Sequence, residues 1–127
     1  MAKAGVTTAR QELGKSGENL AAAEIEAAGY AVIERRYRTR FGEIDIIARD
    51  GESLVFVEVR RKSHDDCGSA IESIGPQKQR RVVRMAVDYL ARNDLYDRCP
   101  VRFDVVAIDD QPDGTPRITV IRDAFTE

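Results

Sequence analysis

The fold turns on residues 42–60, GEIDIIARDGESLVFVEVR. Two apolar stretches, Glu43–Arg49 and Glu52–Arg60, flank Asp50-Gly51. Asp-Gly between alternating hydrophobics is a strong short-range hairpin signal. A two- or four-residue loop centred on Asp50-Gly51 pairs Asp45 with Phe56 and Glu43 with Glu58. Opposed residues share a sheet face, and side chains alternate along each strand. Asp45, Glu58, Arg60 and Lys62 therefore project to one face at the end of the hairpin, with Glu43 beside them.

Like charges set opposite one another destabilise a sheet, so acids gathered in an apolar hairpin need compensation. A hard divalent cation supplies it. Magnesium takes carboxylate oxygens, keeps several waters and offsets the repulsion. A neighbouring basic side chain would then stabilise the charge that develops on a phosphodiester under attack. The alternative is a solvated network in which Arg60, Lys62 or nearby arginines pair with the acids. Pattern alone leaves both open.

Upstream, Thr8-x-x-Gln11 reads as a capping box, and Leu13, Gly17, Leu20, Ala21, Ile25 and Ala28 recur at helical spacing. They predict a helix from about Thr8 to Ala28, stopped by Gly29. Tyr30–Ile33 reads as a short strand leading into residues 34–41, where Arg36, Arg38 and Arg40 share a strand face and alternate with Tyr37 and Phe41. Downstream, residues 61–75 form a polar loop that includes His64-Asp65-Asp66. Gly75-Pro76 opens a second helix to about Asn93, with apolar stripe Val82, Met85, Ala86, Tyr89 and Leu90. Lys78, Arg80, Arg81 and Arg84 crowd its first two turns. Strands Val101–Ile108 and Arg117–Ile121 follow. The order α-β-β-β-α-β-β predicts an α/β fold, a mixed sheet with flanking helices.

The 127 residues amount to one domain, 1–127, with residues 1–12 as a mobile leading segment. Hydrophobic residues make up 43% and the net charge is −2, a balance that argues against disorder. No apolar run is longer than Leu54–Val57, which excludes a membrane-spanning helix. The N-terminal stretch has no apolar core of signal-peptide length. Cys67 and Cys99 then read as reduced thiols of a cytoplasmic protein. Charge is unevenly spread: residues 1–34 carry −2, residues 35–84 carry +4 and residues 85–127 carry −4. A basic middle is compatible with a polyanionic partner.

Seven ordered blocks between Gly14 and Phe125 carry a resemblance: G-E-x-L-A-A, G-Y, R-F-G-E-I-D, V-F-V-E-V-R, G-P-Q-K-Q-R-R, R-F-D-V-V and R-D-A-F. The chain resembles the YraN family of small bacterial proteins, which are similar to Holliday-junction resolvases. G-E-I-D-I-I-A, V-F-V-E-V-R and a first-helix glutamate also resemble the PD-(D/E)xK restriction-endonuclease-like superfamily. The resemblance implies a restriction-endonuclease-like α-β-β-β-α-β core and magnesium- or manganese-dependent hydrolysis of DNA, including branched DNA. It makes Asp45 and Glu58 the metal ligands and Glu18 the helix glutamate of the catalytic set. It also implies a homodimer, because a four-way junction has two symmetric strands to cut.

Arg60 departs from the superfamily motif, which ends in lysine. An arginine stays protonated, so it binds phosphate but cannot act as a base. Lys62 lies on the same strand face, roughly 6–7 Å further along, and is the other candidate. Gln77 and Lys78 begin the second helix, where free N–H groups and the positive end of the dipole favour phosphate. With Arg36, Arg38, Arg40 and Arg81 they make the expected nucleic-acid face. Two other readings stand beside the nuclease. One is a non-catalytic nucleic-acid-binding module, favoured by Arg60; the other is a protein-interaction domain, favoured by a pI near 5.5.

Overall fold

The computed structural model describes residues 9–63, 70 and 73–126, with side chains from Gly17 onward. Thr8 of the capping box, His64-Asp65-Asp66 and Cys67 lie outside the described residues. The elements follow the predicted order: α1 Ala9–Ala27, β1 Ala31–Thr39, β2 Gly42–Asp50, β3 Ser53–Lys62, α2 Pro76–Arg92, β4 Val101–Asp110 and β5 Pro116–Phe125. Residues 9–12, read from sequence as part of a mobile segment, belong to α1.

Several strands run further than the sequence suggests. β3 continues to Lys62, into the stretch read as loop, because its ladder with β4 extends to Lys62–Asp109. β1 likewise includes the arginine-rich stretch, since its backbone pairs with β2 as far as Thr39–Gly42. Backbone partners hold both segments in the sheet whatever their side chains.

The sheet has the order β1-β2-β3-β4-β5. Only β3 and β4 run parallel, with α2 as the crossover between them. α2 buries Val82, Met85, Ala86, Tyr89 and Leu90, the predicted stripe, against Ile44, Ile47, Leu54, Phe56 and Phe103. α1 buries Ala21, Ala22 and Ile25 against Ile46, Ala48, Val55, Val57, Val106 and Ile108 on the other face. Ala28 lies beyond the end of α1 and is exposed. The result is a mixed sheet between two helices, the α/β architecture of the endonuclease-like core.

The hairpin differs from its sequence reading in register. Asp50 pairs with Ser53 and Ile47 with Phe56, leaving Gly51-Glu52 as the loop. Gly51 takes φ +63, a conformation that costs a glycine little, at the first loop position. Asp50 stays in the ladder, and its carboxylate accepts a 2.8 Å hydrogen bond from Arg102. Asp45 therefore does not face Phe56, and Glu43 does not face Glu58. The displacement is two residues, a full side-chain period, and Asp45 and Glu58 become the first residues beyond the last pair, Ile46–Val57.

Candidate active site

The strict alternation of β2 slips at Asp45. Ile44 packs on the α2 side, whereas Ile46 packs on the α1 side. On β1, Arg36 lies between Arg35 and Tyr37, which pair with Ile46 and Ile44, and takes φ +56. A left-handed conformation is uncommon for a residue with a Cβ, and such strain clusters at functional sites. Where β2 and β3 part, Asp45 Oδ2 accepts a 2.8 Å hydrogen bond from the Val59 amide. The carboxylate thus replaces a carbonyl that the ladder no longer supplies.

Glu58 is 2% exposed. Lys78 Nζ, reaching in from the first turn of α2, lies 3.3 Å from Glu58 Oε1. Glu58 Oε2 is buried with no hydrogen-bond partner among the described residues. Burial, and then the neighbouring Asp45 carboxylate, push Glu58 up to about 7, against the opposing pull of Lys78 and Arg60. Burial likewise raises Asp45, with a further push from Glu18; the Val59 amide, Lys78 and Arg60 oppose it. Two acids with raised proton affinity and one orphaned oxygen make a site short of positive charge.

The other catalytic candidates are distributed around this pair. Glu18, on α1, is 7% exposed, and its charge is felt by Asp45. Both its oxygens are engaged: Arg35 donates to Oε1 at 2.9 Å and Arg36 to Oε2 at 3.1 Å. It therefore anchors the strained stretch of β1. Arg60 lies within electrostatic reach of both acids, and its buried Nε has no partner among the described residues. Lys62 stands at the end of β3, opposite Asp109 in the ladder. Lys78, which the sequence grouped with the phosphate-binding residues, contacts Glu58 directly. Its position four residues, one helical step, before the inward row Val82, Met85 and Tyr89 was the available signal.

The expected row of three arginines does not lie on one face. Arg36 turns to Glu18. Arg38, 84% exposed, pairs across the ladder with Glu43 at 3.2 Å. That contact gives Glu43 a cation partner on the surface. Arg40 lies beyond the end of β1, 5.0 Å from the Phe41 ring centroid. Tyr37 donates to Asp88 and packs edge-on against Tyr89, so its ring belongs to the core. Gln77 and Arg81 are exposed on α2 and share a cleft with Phe41.

On the opposite face of the sheet from Glu58, one residue away in the β3–β4 ladder, a second polar cluster forms around Asp104, 0% exposed. Arg102 donates to both of its oxygens, at 2.8 and 2.9 Å. Tyr30 OH donates to Oδ2 at 2.5 Å and the Asp123 amide to Oδ1 at 2.9 Å. Arg102, two residues earlier on β4, is thus the arginine partner of Asp104.

A family model described as "Uncharacterised protein family UPF0102" matches residues 17–108, most of the chain and all of the Glu18, Asp45, Glu58, Arg60 and Lys78 set. The chain belongs to the UPF0102 family. This is the YraN family that the sequence blocks resemble. A UPF0102 protein of Syntrophus aciditrophicus is 50% identical over 88% of this chain and 87% of its own. A UPF0102 protein of Geotalea uraniireducens is 44% identical over 91% and 90%. One of Symbiobacterium thermophilum is 44% identical over 91% and 97%.

Asp45 and Glu58 are the residues here that could hold a small divalent cation. Among the described residues no three His, Cys, Asp or Glu side chains converge. Two hard carboxylates, one with a free buried oxygen, match magnesium, which binds through one or two carboxylates and keeps waters. Among the described residues no helix is long and apolar enough to cross a membrane.

Proposed function

We propose that this UPF0102 chain is a divalent-cation-dependent endonuclease-like protein acting on phosphodiesters of DNA, with branched DNA among its substrates. The observation that carries the reading is Glu58 Oε2, an orphaned buried carboxylate oxygen beside the raised Asp45. Asp45 and Glu58 would hold the magnesium or manganese ion, which would supply Lewis-acid charge and lower the proton affinity of water. The chain's own residues do the rest. The Val59 amide fixes the Asp45 carboxylate, and Lys78 fixes Glu58 Oε1. Arg60, whose charge reaches both acids, binds the phosphate and stabilises the charge that grows on it. Glu18 holds Arg35 and Arg36 beside the opening of the sheet.

The test is cleavage of linear, flapped and four-way DNA with magnesium or manganese. Asp45→Asn removes a ligand's charge at constant shape, so cleavage is lost while DNA binding persists. Arg60→Lys retains or raises activity, and Arg60→Ala costs about 2–4 kcal/mol of transition-state stabilisation. A second reading is a non-catalytic nucleic-acid-binding module. It is favoured by Arg60 in place of lysine and by the ammonium already seated on Glu58. Equal inactivity of wild type and Asp45→Asn on every substrate, with DNA binding retained, selects it.

A further inference from the structure

A second site lies on the flank of α2. Gln77, Arg80, Arg81 and Arg84 recur at helical spacing and, with Phe41 from the turn between β1 and β2, line a cleft of about 330 Å³. All four helix residues are exposed. Among the described residues no carboxylate pairs with Arg80, Arg81 or Arg84. Arg84 lies 5.1 Å and Arg40 5.0 Å from the Phe41 ring centroid. Such cation–π contacts hold a guanidinium in place without neutralising it, as a salt bridge would.

The turn that carries Phe41 is itself pinned. Gly42 takes φ +138, and a Cβ there would meet Met85 Sδ at 3.6 Å and Arg81 Cδ at 3.7 Å. Only glycine reaches that backbone conformation without strain while packing so near the helix. The aromatic ring and the cations therefore form a preformed wall.

We propose that this cleft binds a phosphorylated nucleotide unit. Guanidinium forks match phosphate oxygens two at a time, while the exposed guanidinium planes, one of them backed by the half-buried Phe41 ring, suit a base. The volume lies at the lower end of that of small-molecule pockets, too large for a lone phosphate to fill. Gln77 of the cleft is followed in α2 by Lys78, whose ammonium contacts Glu58, so the cleft and the carboxylate site share the first turn of the helix. The inference rests on the nucleic-acid reading of that end of the molecule, but on neither a bound cation nor cleavage.

The test is fluorescence anisotropy in EDTA with the full chain. The probe is a single-stranded 12-mer carrying a 5′-phosphate and a 3′-fluorophore. Arg80→Ala/Arg84→Ala weakens binding tenfold or more and flattens its salt dependence. Phe41→Leu weakens it several-fold at unchanged salt dependence. Arg98→Ala, a charge change far along α2 and past its end, leaves it unaltered, and circular dichroism verifies that each variant is folded. Competition by deoxyadenosine monophosphate assigns the cleft to free nucleotides as well. Competition only by unlabelled oligonucleotide assigns it to nucleotides within a strand. Equal affinity of wild type and the double arginine variant overturns the proposal, and so does a polyglutamate peptide that displaces the probe as well as the unlabelled oligonucleotide does. Because nothing is cut in EDTA, inactivity in the cleavage assay overturns the nuclease reading alone.

Discussion

Glu58 and Asp104 are buried carboxylates on neighbouring parallel strands, 2% and 0% exposed, yet their proton affinities move in opposite directions. Burial pushes both up. At Asp104 the bonds from Arg102, Tyr30 and the Asp123 amide outweigh burial and hold the carboxyl below its usual range. At Glu58 one ammonium at 3.3 Å is set against burial and a neighbouring acid. A carboxylate with every oxygen satisfied stabilises the fold; one left short of positive charge is a place for a ligand. The two faces of this sheet separate those roles.

The largest effect falls on the satisfied carboxylate. Asp104→Asn removes the charge that Arg102 and Tyr30 are built around and should cost about 3–5 kcal/mol, the range for breaking a buried pair. Urea denaturation measures it. A loss below about 1 kcal/mol would show that the Asp104 network does not hold this face together, and the contrast would collapse.

Glu58 should behave in the opposite sense. A carboxyl raised from 4.5 to about 7 in the fold means that the native state holds its proton more tightly than the unfolded chain. The associated stability is fully present below pH 4.5 and is lost as pH rises through about 7. Glu58→Gln should therefore stabilise the protein at pH 8 by up to about 3 kcal/mol relative to wild type, and by nearly nothing at pH 4. A difference independent of pH would mean that Glu58 is already compensated.

Magnesium sharpens the same contrast. At pH 8, a concentration ten times the dissociation constant should stabilise the wild type by about 1.4 kcal/mol. Neither Glu58→Gln nor Asp45→Asn should respond, whereas Asp104→Asn, however weakened, should still gain. A thermal shift of equal size in all four chains would place the ion elsewhere.

The smallest effect marks the surface control. Arg38 is 84% exposed and among the described residues pairs with Glu43 alone, so Arg38→Ala should change stability by less than about 1 kcal/mol. If Arg38 touches phosphate, the log–log salt slope of DNA binding should flatten by about one unit at most. A flattening of several units would mean that the substitution disturbs the whole basic face.

Much of this architecture was legible because it rests on periodicity. The α2 stripe from Val82 to Leu90 repeats at helical spacing, and the β2–β3 hairpin alternates around Asp-Gly, so both could be read from single residues outward. The shared location of Asp45 and Glu58 survived an error in register because the displacement was a whole side-chain period. Arg102 and Asp104, two apart on one strand, could also be matched in advance.

What the sequence could not contain is where the regular pattern stops. The slip at Asp45 and the left-handed Arg36 break the alternation that put Arg36, Arg38 and Arg40 in one row. They lie where α1 brings Glu18 against β1. The seating of Lys78 on Glu58, and of Arg40 and Arg84 on Phe41, depends on contacts between segments far apart in the chain. Local propensity and spacing determined the elements, the composition of the core and the identity of the acids. Which charges meet, which oxygen is left without a partner and which cations stay unneutralised were decided by tertiary packing, because an ion pair depends on distances that no periodicity along the chain encodes.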